Sequence, residues 1–269
     1  MGLIHLPYTS KPPAGSTVQR SHHLSKGLVG WWPMNEGCGI RIADISGSRN
    51  DGSYVNAVSS QPLWSGGRSG PTLNFAAGGS QRVDIQKQYT PLDVTGDRLS
   101  FSLWAQATVS GANYLLGTIN GAGTSGFSLN APNDTSVRFI IGDGALVSMN
   151  ANIKGTFSSG VWQHFCCVYD GAFLRIYQNG ISIGTPVANT GNVVTNANKL
   201  QIGAYGESGL YWTGRLDNVQ VWNRALSADE VRLLYASPFC NVVRPVTWVS
   251  SGVIPPASIS PVLWMGVCV

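Results

Sequence analysis

Charge is scarce in this sequence: Asp, Glu, Lys and Arg make up 11% of its 269 residues, less than half the roughly 25% of an ordinary soluble protein. Glutamate occurs at three positions only, 36, 207 and 230. With Gly and β-branched residues spread throughout, a long soluble helix bundle is excluded. No run of 18 apolar residues occurs. The apolar C-terminus is broken by Arg244, Pro245, Pro255, Pro256 and Pro261, so it does not read as a membrane-spanning helix. The first 26 residues lack the apolar stretch of a secretory signal, so the expectation is a protein made in the cytoplasm. Cysteine is sparse and odd in number, at five. None has C-x-x-C metal spacing, and Cys166 and Cys167, adjacent in a strand-like run, point to opposite faces and are poorly placed to pair. The five are expected to be small apolar thiols in a reducing compartment.

What the chain does have is aromatic residues and turns. Nine Trp, nine Tyr and eight Phe supply a core, which argues against disorder, and 33 Gly and 14 Pro punctuate short runs. Leu28–Met34 reads as a first strand. Phe101, Leu103, Ala105, Ala107 and Val109 alternate with polar or outward positions, as in a strand with one buried face. Further runs are Tyr114–Ile119, Val137–Ile141, Leu146–Asn150, Val161–Tyr169, Phe173–Gln178, Ile181–Ile183, Leu200–Gly203 and Tyr211–Trp222. Asn179-Gly180 lies between two of them and accepts φ > 0 at both central positions of a type I′ hairpin turn. One helix is signalled by Ser227 and Glu230, a capping box, followed by Val231 and Leu234 at i, i+3 and stopped by Pro238. Many short strands between turns predict an all-β, two-sheet antiparallel sandwich with one short C-terminal helix.

The net charge of +4 raises nucleic-acid binding, but its distribution argues against it. Residues 1–26 carry Lys11, Arg20 and Lys26 and no acid, and residues 240–269 carry only Arg244; the remainder is neutral, with thirteen bases and thirteen acids. The chain therefore divides into an N-terminal extended arm (1–26), a β domain (27–236) and a C-terminal extended tail (237–269).

Within the β domain, Gly27-Leu28-Val29-Gly30-Trp31-Trp32-Pro33-Met34-Asn35-Glu36-Gly37 resembles the opening strand of laminin-G-like jelly rolls of the concanavalin A-like lectin/glucanase superfamily. Asp44-Ile45-Ser46-Gly47-Ser48-Arg49-Asn50-Asp51-Gly52 is similar to the loop that follows it there. Leu99–Trp104, Val161-Trp162-Gln163-His164 with Tyr169-Asp170-Gly171, Tyr177-Gln178-Asn179-Gly180, Gly214–Val219 and Asn223–Ser227 resemble later pieces in the family's order. The resemblance implies a jelly roll and, for function, a choice among lectin, glucanase, adhesion module and spacer.

Catalysis is the weakest of these. Retaining glycoside hydrolysis needs two carboxyl groups ~5–5.5 Å apart, and none of the three Glu has a carboxylate two residues away on a strand. His164 as a general base lacks a partner nearby in sequence. The resemblance implies structural Ca²⁺ in some relatives, at positions matched here by Asp44, Asn50 and Asp217, with Asx turns as the alternative for the first two. A sugar site is expected in the loop 203–212, where Tyr205 or Trp212 stacks on a ring and Glu207 accepts hydroxyl protons, and Asn120–Ser125 and Asn130–Asp134 are further polar loops; the alternative is that Trp212 opens a core strand and the loops are only turns. The tail's Trp248, Ile254, Leu263 and Trp264 are a hazard if free and are expected to dock on protein subunits of a larger assembly. The reading is a non-enzymatic, homo-oligomeric surface protein of a phage or virus particle, anchored by its termini, that decorates the particle or binds glycans. The alternatives are a free carbohydrate-binding lectin module and, behind it, a glycoside hydrolase.

Overall fold

The computed structural model describes residues 10–13, 15–55, 63–75, 80–86, 92, 94–108, 113–155, 157, 160–205 and 210–243. In chain order the strands begin with β1 (Thr17–Val18), β2 (Leu28–Trp32), β3 (Arg41–Ile42), β4 (Gly52–Val55), β5 (Leu63–Gly66) and β6 (Pro71–Phe75). Then come β7 (Arg82–Ile85), β8 (Leu99–Ala107), β9 (Asn113–Gly117), β10 (Ser125–Asn133), β11 (Ser136–Asp143) and β12 (Leu146–Asn152). The last are β13 (Gln163–Tyr169), β14 (Phe173–Gln178), β15 (Ile181–Ala188), β16 (Leu200–Ile202), β17 (Gly214–Trp222) and β18 (Val242–Val243), with helix α1 (Ala228–Ala236) after β17.

Two antiparallel sheets form a sandwich. The first has the order β12-β11-β10-β9-β16-β7-β4-β3; the second runs β15-β14-β13-β8-β17-β6-β5, with β2 also pairing β17. Alternation explains which side chains meet between them. In β7, Val83 and Ile85 are fully buried in the core while Arg82 and Asp84 point to the other face. In β8, Phe101, Leu103 and Ala105 enter the same core, and Ser102 and Trp104 lie on the back of the second sheet. Phe101 stacks on Phe127 at 5.4 Å and meets Phe139 edge-on at 5.3 Å, tying the sheets together. Asn179 and Gly180 join β14 to β15 with φ of 51° and 80°, the type I′ geometry that right-handed strand twist favours.

The back of the second sheet carries a smaller core. Trp31, Cys166, Val168 and Trp222 pack there under Val231 and Leu234 of α1. Both halves of the capping box form: Ser227 Oγ accepts the Glu230 N–H, and the Glu230 carboxylate accepts the Ser227 N–H at 2.9 Å. Cys166 and Cys167 do face opposite sides, one in each core.

The stretch from residue 11 to 26, read as an extended arm, is attached to the domain's own surface. Leu24 is completely buried in the smaller core, β1 pairs with β18, and Trp222 Nε1 donates to Leu24 O at 2.7 Å. A small apolar set against Phe239 and Val242 holds it there. Asn130 also differs from expectation, since it sits in β10 rather than in a loop. Strands β4, β5 and β6 do not stand out in the sequence, because each is only four or five residues long with Gly or Pro at one boundary.

Candidate functional site

On the outer face of the first sheet, β7, β16 and β9 lie side by side, with Asp84 opposite Gln201 and Gln201 opposite Gly117. Their inward neighbours Ile85, Leu200, Ile202 and Leu116 are core residues, so the strand period places Asp84 and Gln201 outward. Gly117 has no side chain, and a Cβ there would lie 2.6 Å from Ser128. Beside these residues is a groove of about 470 Å³, lined by Asp84, Gly117, Asn198, Lys199, Gln201 and Tyr205 among others. Its aromatic wall is Tyr205, half-buried and stacked on Tyr114 with ring centroids 4.5 Å apart and planes 21° from parallel.

The groove's carboxylate is fully engaged. Asp84 Oδ1 accepts Arg82 Nε at 2.9 Å and Gln201 Nε2 at 3.0 Å, and Oδ2 accepts Lys199 Nζ at 3.0 Å. Burial works to raise this carboxyl, but the three donors outweigh it and hold it below the usual carboxylate range. Asn198 Nδ2 donates to the carbonyls of Thr118 and Ile119, so its amide is fixed with the oxygen directed away from them. The chemistry on offer is one aromatic face, amide oxygens and a half-exposed ammonium, a set suited to hydroxyl-rich rings.

The sequence-predicted sugar residues are separated. Tyr205 lines the groove, Glu207 lies outside the described residues, and Trp212 is a core side chain, 1% exposed and edge-on to Phe157 at 5.3 Å. The alternation into β17 turns Trp212 inward, where it has no access to a sugar. Sequence reasoning missed Asp84, Lys199 and Gln201; a period-2 reading of Arg82–Ile85 would have placed Asp84 on an outer face.

The residues matched to calcium do not fit a shared cation. Asp44 Oδ1 accepts the N–H groups of Trp31 and Ser46, and Oδ2 accepts the Asn50 N–H and the Ser46 hydroxyl. Asn50 Nδ2 donates to Val29 O at 2.9 Å, and the Asn50 backbone carbonyl accepts Trp32 Nε1 at 2.9 Å. These bonds make the loop a hydrogen-bonded cradle behind β2, the Asx alternative. Asp217 instead meets Lys11 Nζ at 2.5 Å in a buried pair. Among the described residues no three His, Cys, Asp or Glu side chains come together to hold a metal ion.

His164 does find a hydroxyl that its sequence neighbours did not reveal. Its Nε2 lies 2.7 Å from Ser102 Oγ, across β8 and β13. The pair is buried, His164 at 1% and Ser102 at 2% exposure, with Trp104 and Tyr235 against the imidazole. Burial, with the charge of Arg68, pushes His164 down to about 3. It packs as a neutral core histidine with no path for a substrate. Cys38 is disulfide-bonded, contrary to the expectation of five thiols, whereas Cys166, Cys167 and Cys240 are free. Trp248, Ile254, Leu263 and Trp264 lie outside the described residues. Among the described residues no helix is long and apolar enough to cross a membrane.

The sequence pattern of a laminin-G group in the concanavalin A-like lectin/glucanases superfamily matches residues 77–232. The chain belongs to that superfamily. The matched segment begins before β7 and ends within α1, so it takes in every groove residue named above. Among curated proteins, the chain is 31% identical over 98 residues to the pentraxin-related protein PTX3 of Bos taurus, a match covering 32% of this chain and 25% of that protein. Among solved structures, it is similar to the binding domain of Paraclostridial Mosquitocidal Protein 1, with a TM-score of 0.63, 17% identity, and coverage of 81% of this chain and 54% of the other. It is also similar to domain 4 of AbnA, an extracellular arabinanase of Geobacillus stearothermophilus solved with arabinotriose, with a TM-score of 0.58, 15% identity, and coverage of 77% and 98%. The chain thus spans a quarter of the curated relative and about half of the first of these structures. At such identities the structural likeness shows the fold.

Proposed function

We propose that this lectin-superfamily domain is a carbohydrate-binding module whose site is the groove beside Asp84, Gln201, Lys199, Asn198 and Tyr205. The observation that carries the reading is the juxtaposition of a stacked aromatic wall with fixed amide and ammonium groups on one outer sheet face. Apolar ring faces of sugars stack on such walls, while hydroxyls exchange hydrogen bonds with amides. The AbnA domain, solved with arabinotriose, supports the direction of the reading.

Binding rather than hydrolysis follows from the carboxylates. Among the described residues the groove is lined by one acid, Asp84, with both oxygens occupied, and glycoside hydrolysis needs two carboxyl groups with a free proton or lone pair between them. The test is a glycan array probed with the full chain, followed by titration of the best ligand against Tyr205→Ala and Gln201→Ala. Saturable binding weakened at least about tenfold by either variant, at unchanged melting temperature, is the expected outcome. Absence of glycan binding, or binding indifferent to both variants, would overturn the proposal.

A further inference from the structure

The assignment of the groove leaves open what its carboxylate does, and the geometry points to a positioning role for Asp84. We infer that Asp84 does not touch the ligand but holds Gln201 and Lys199 in the orientations that do; this rests on the binding reading above.

An ionised carboxylate is acceptor-only. Both oxygens of Asp84 are already met, Oδ1 twice and Oδ2 once, at 2.9–3.0 Å. Exposure does not separate the two residues, Asp84 being 9% and Gln201 8% exposed; what separates them is that the carboxylate's oxygens already hold three donors. The bond from Gln201 Nε2 fixes which way that amide faces. With the nitrogen turned to Asp84, the Oε1 acceptor is the atom left for the groove. Lys199 spends one of its three donors on Asp84, its side chain being 43% exposed, so the remaining donors are presented to solvent from a fixed point. The carboxylate therefore converts two mobile side chains into one donor and one acceptor set side by side, beside the Asn198 amide. A vicinal pair of sugar hydroxyls, one donating and one accepting, matches that pattern. Arg82 Nε, on the same strand two residues away, anchors Asp84 itself.

The experiment is a double-mutant cycle measured by calorimetry with three probes, arabinotriose, xylotriose and cellotriose. It uses Asp84→Ala, Gln201→Ala and the double variant, with Asp84→Asn as the conservative exchange. A charge-assisted hydrogen bond is worth about 1.5–3 kcal/mol, so each single variant is expected to weaken binding about tenfold or more. The double variant should be no weaker than the worse single one, and Asp84→Asn should fall between wild type and Asp84→Ala. Losses that multiply in the double variant would show that Asp84 contacts the ligand independently and would overturn the inference. Side-chain amide resonances of Gln201 in the ligand-free protein give a second readout. They should shift in Asp84→Ala and largely recover in Asp84→Asn, and unchanged resonances would also overturn the inference. If no probe binds the wild type, the binding reading fails for these sugars while the resonances still decide the positioning role.

Discussion

Lys11 Nζ lies 2.5 Å from Asp217 Oδ1, and both side chains are 4% exposed, so the segment at residue 11 is pinned to β17 by a buried ion pair. The ammonium also donates to Met34 O at 2.7 Å and to Pro71 O. Burial lowers the lysine, against the pull of Asp217, and pushes the aspartate up to about 6, against the pull of Lys11. Such a pair is strong evidence of a fixed geometry and weak evidence of net stabilisation.

Lys11→Met leaves Asp217 buried without its partner and should lower unfolding free energy by about 3–5 kcal/mol in urea titrations. Lys11→Met combined with Asp217→Leu should recover most of the loss. A double variant as unstable as the single one would show that the lysine's carbonyl contacts, rather than the charge pair, hold residues 11–26.

Acid should weaken the fold through His164. Its folded-state pKa of about 3 lies below its ordinary 6.5. Above pH 6.5 both states are neutral and the full stability is present; as pH falls from 6.5 toward 3, the unfolded chain binds a proton that the folded one refuses. The loss is about 1.4 kcal/mol per pH unit. Asp217 acts in the opposite sense, because its raised folded pKa means that stability is lost as pH rises toward about 6. His164→Phe should therefore flatten the acid limb of a stability–pH curve, and a curve unchanged by that substitution would contradict the assignment.

Trp212 and Tyr205 should separate cleanly. Trp212→Ala empties a fully packed core position against Phe157 and should cost about 3–5 kcal/mol of stability. Tyr205→Ala removes a half-buried ring from a surface stack and should leave the melting temperature within a few degrees while weakening glycan binding. Thermal melts and ligand titrations on the two variants check this; equal stability losses would place Tyr205 in the core.

The fold was readable because its strongest signals are local. Asn179-Gly180 has only one good hairpin geometry, and Ser227 with Glu230 satisfies two helix-end donors whatever surrounds it. The site was harder because its members are 84, 114, 198–201 and 205, brought together by register across β7, β16 and β9. Sequence places Tyr205 and Trp212 seven residues apart in one loop; in the fold Tyr205 stays in the bend after β16, while Trp212 is buried in the core just before β17 begins. Asp44 and Asn50 looked like oxygen ligands because the residues that cradle a backbone loop are also those that bind calcium. Ser102 and His164 are 62 residues apart and adjoin only through the β8–β13 pairing. Cys38 stood among five cysteines with no spacing rule to mark it.

The most direct test of the central claim is a crystal structure of the full chain with a bound trisaccharide, arabinotriose being the first choice. The account predicts a sugar ring against Tyr205, with hydroxyls within hydrogen-bond distance of Gln201 Oε1 and Lys199 Nζ. Sugar bound on another surface, with this groove left to solvent, would contradict it.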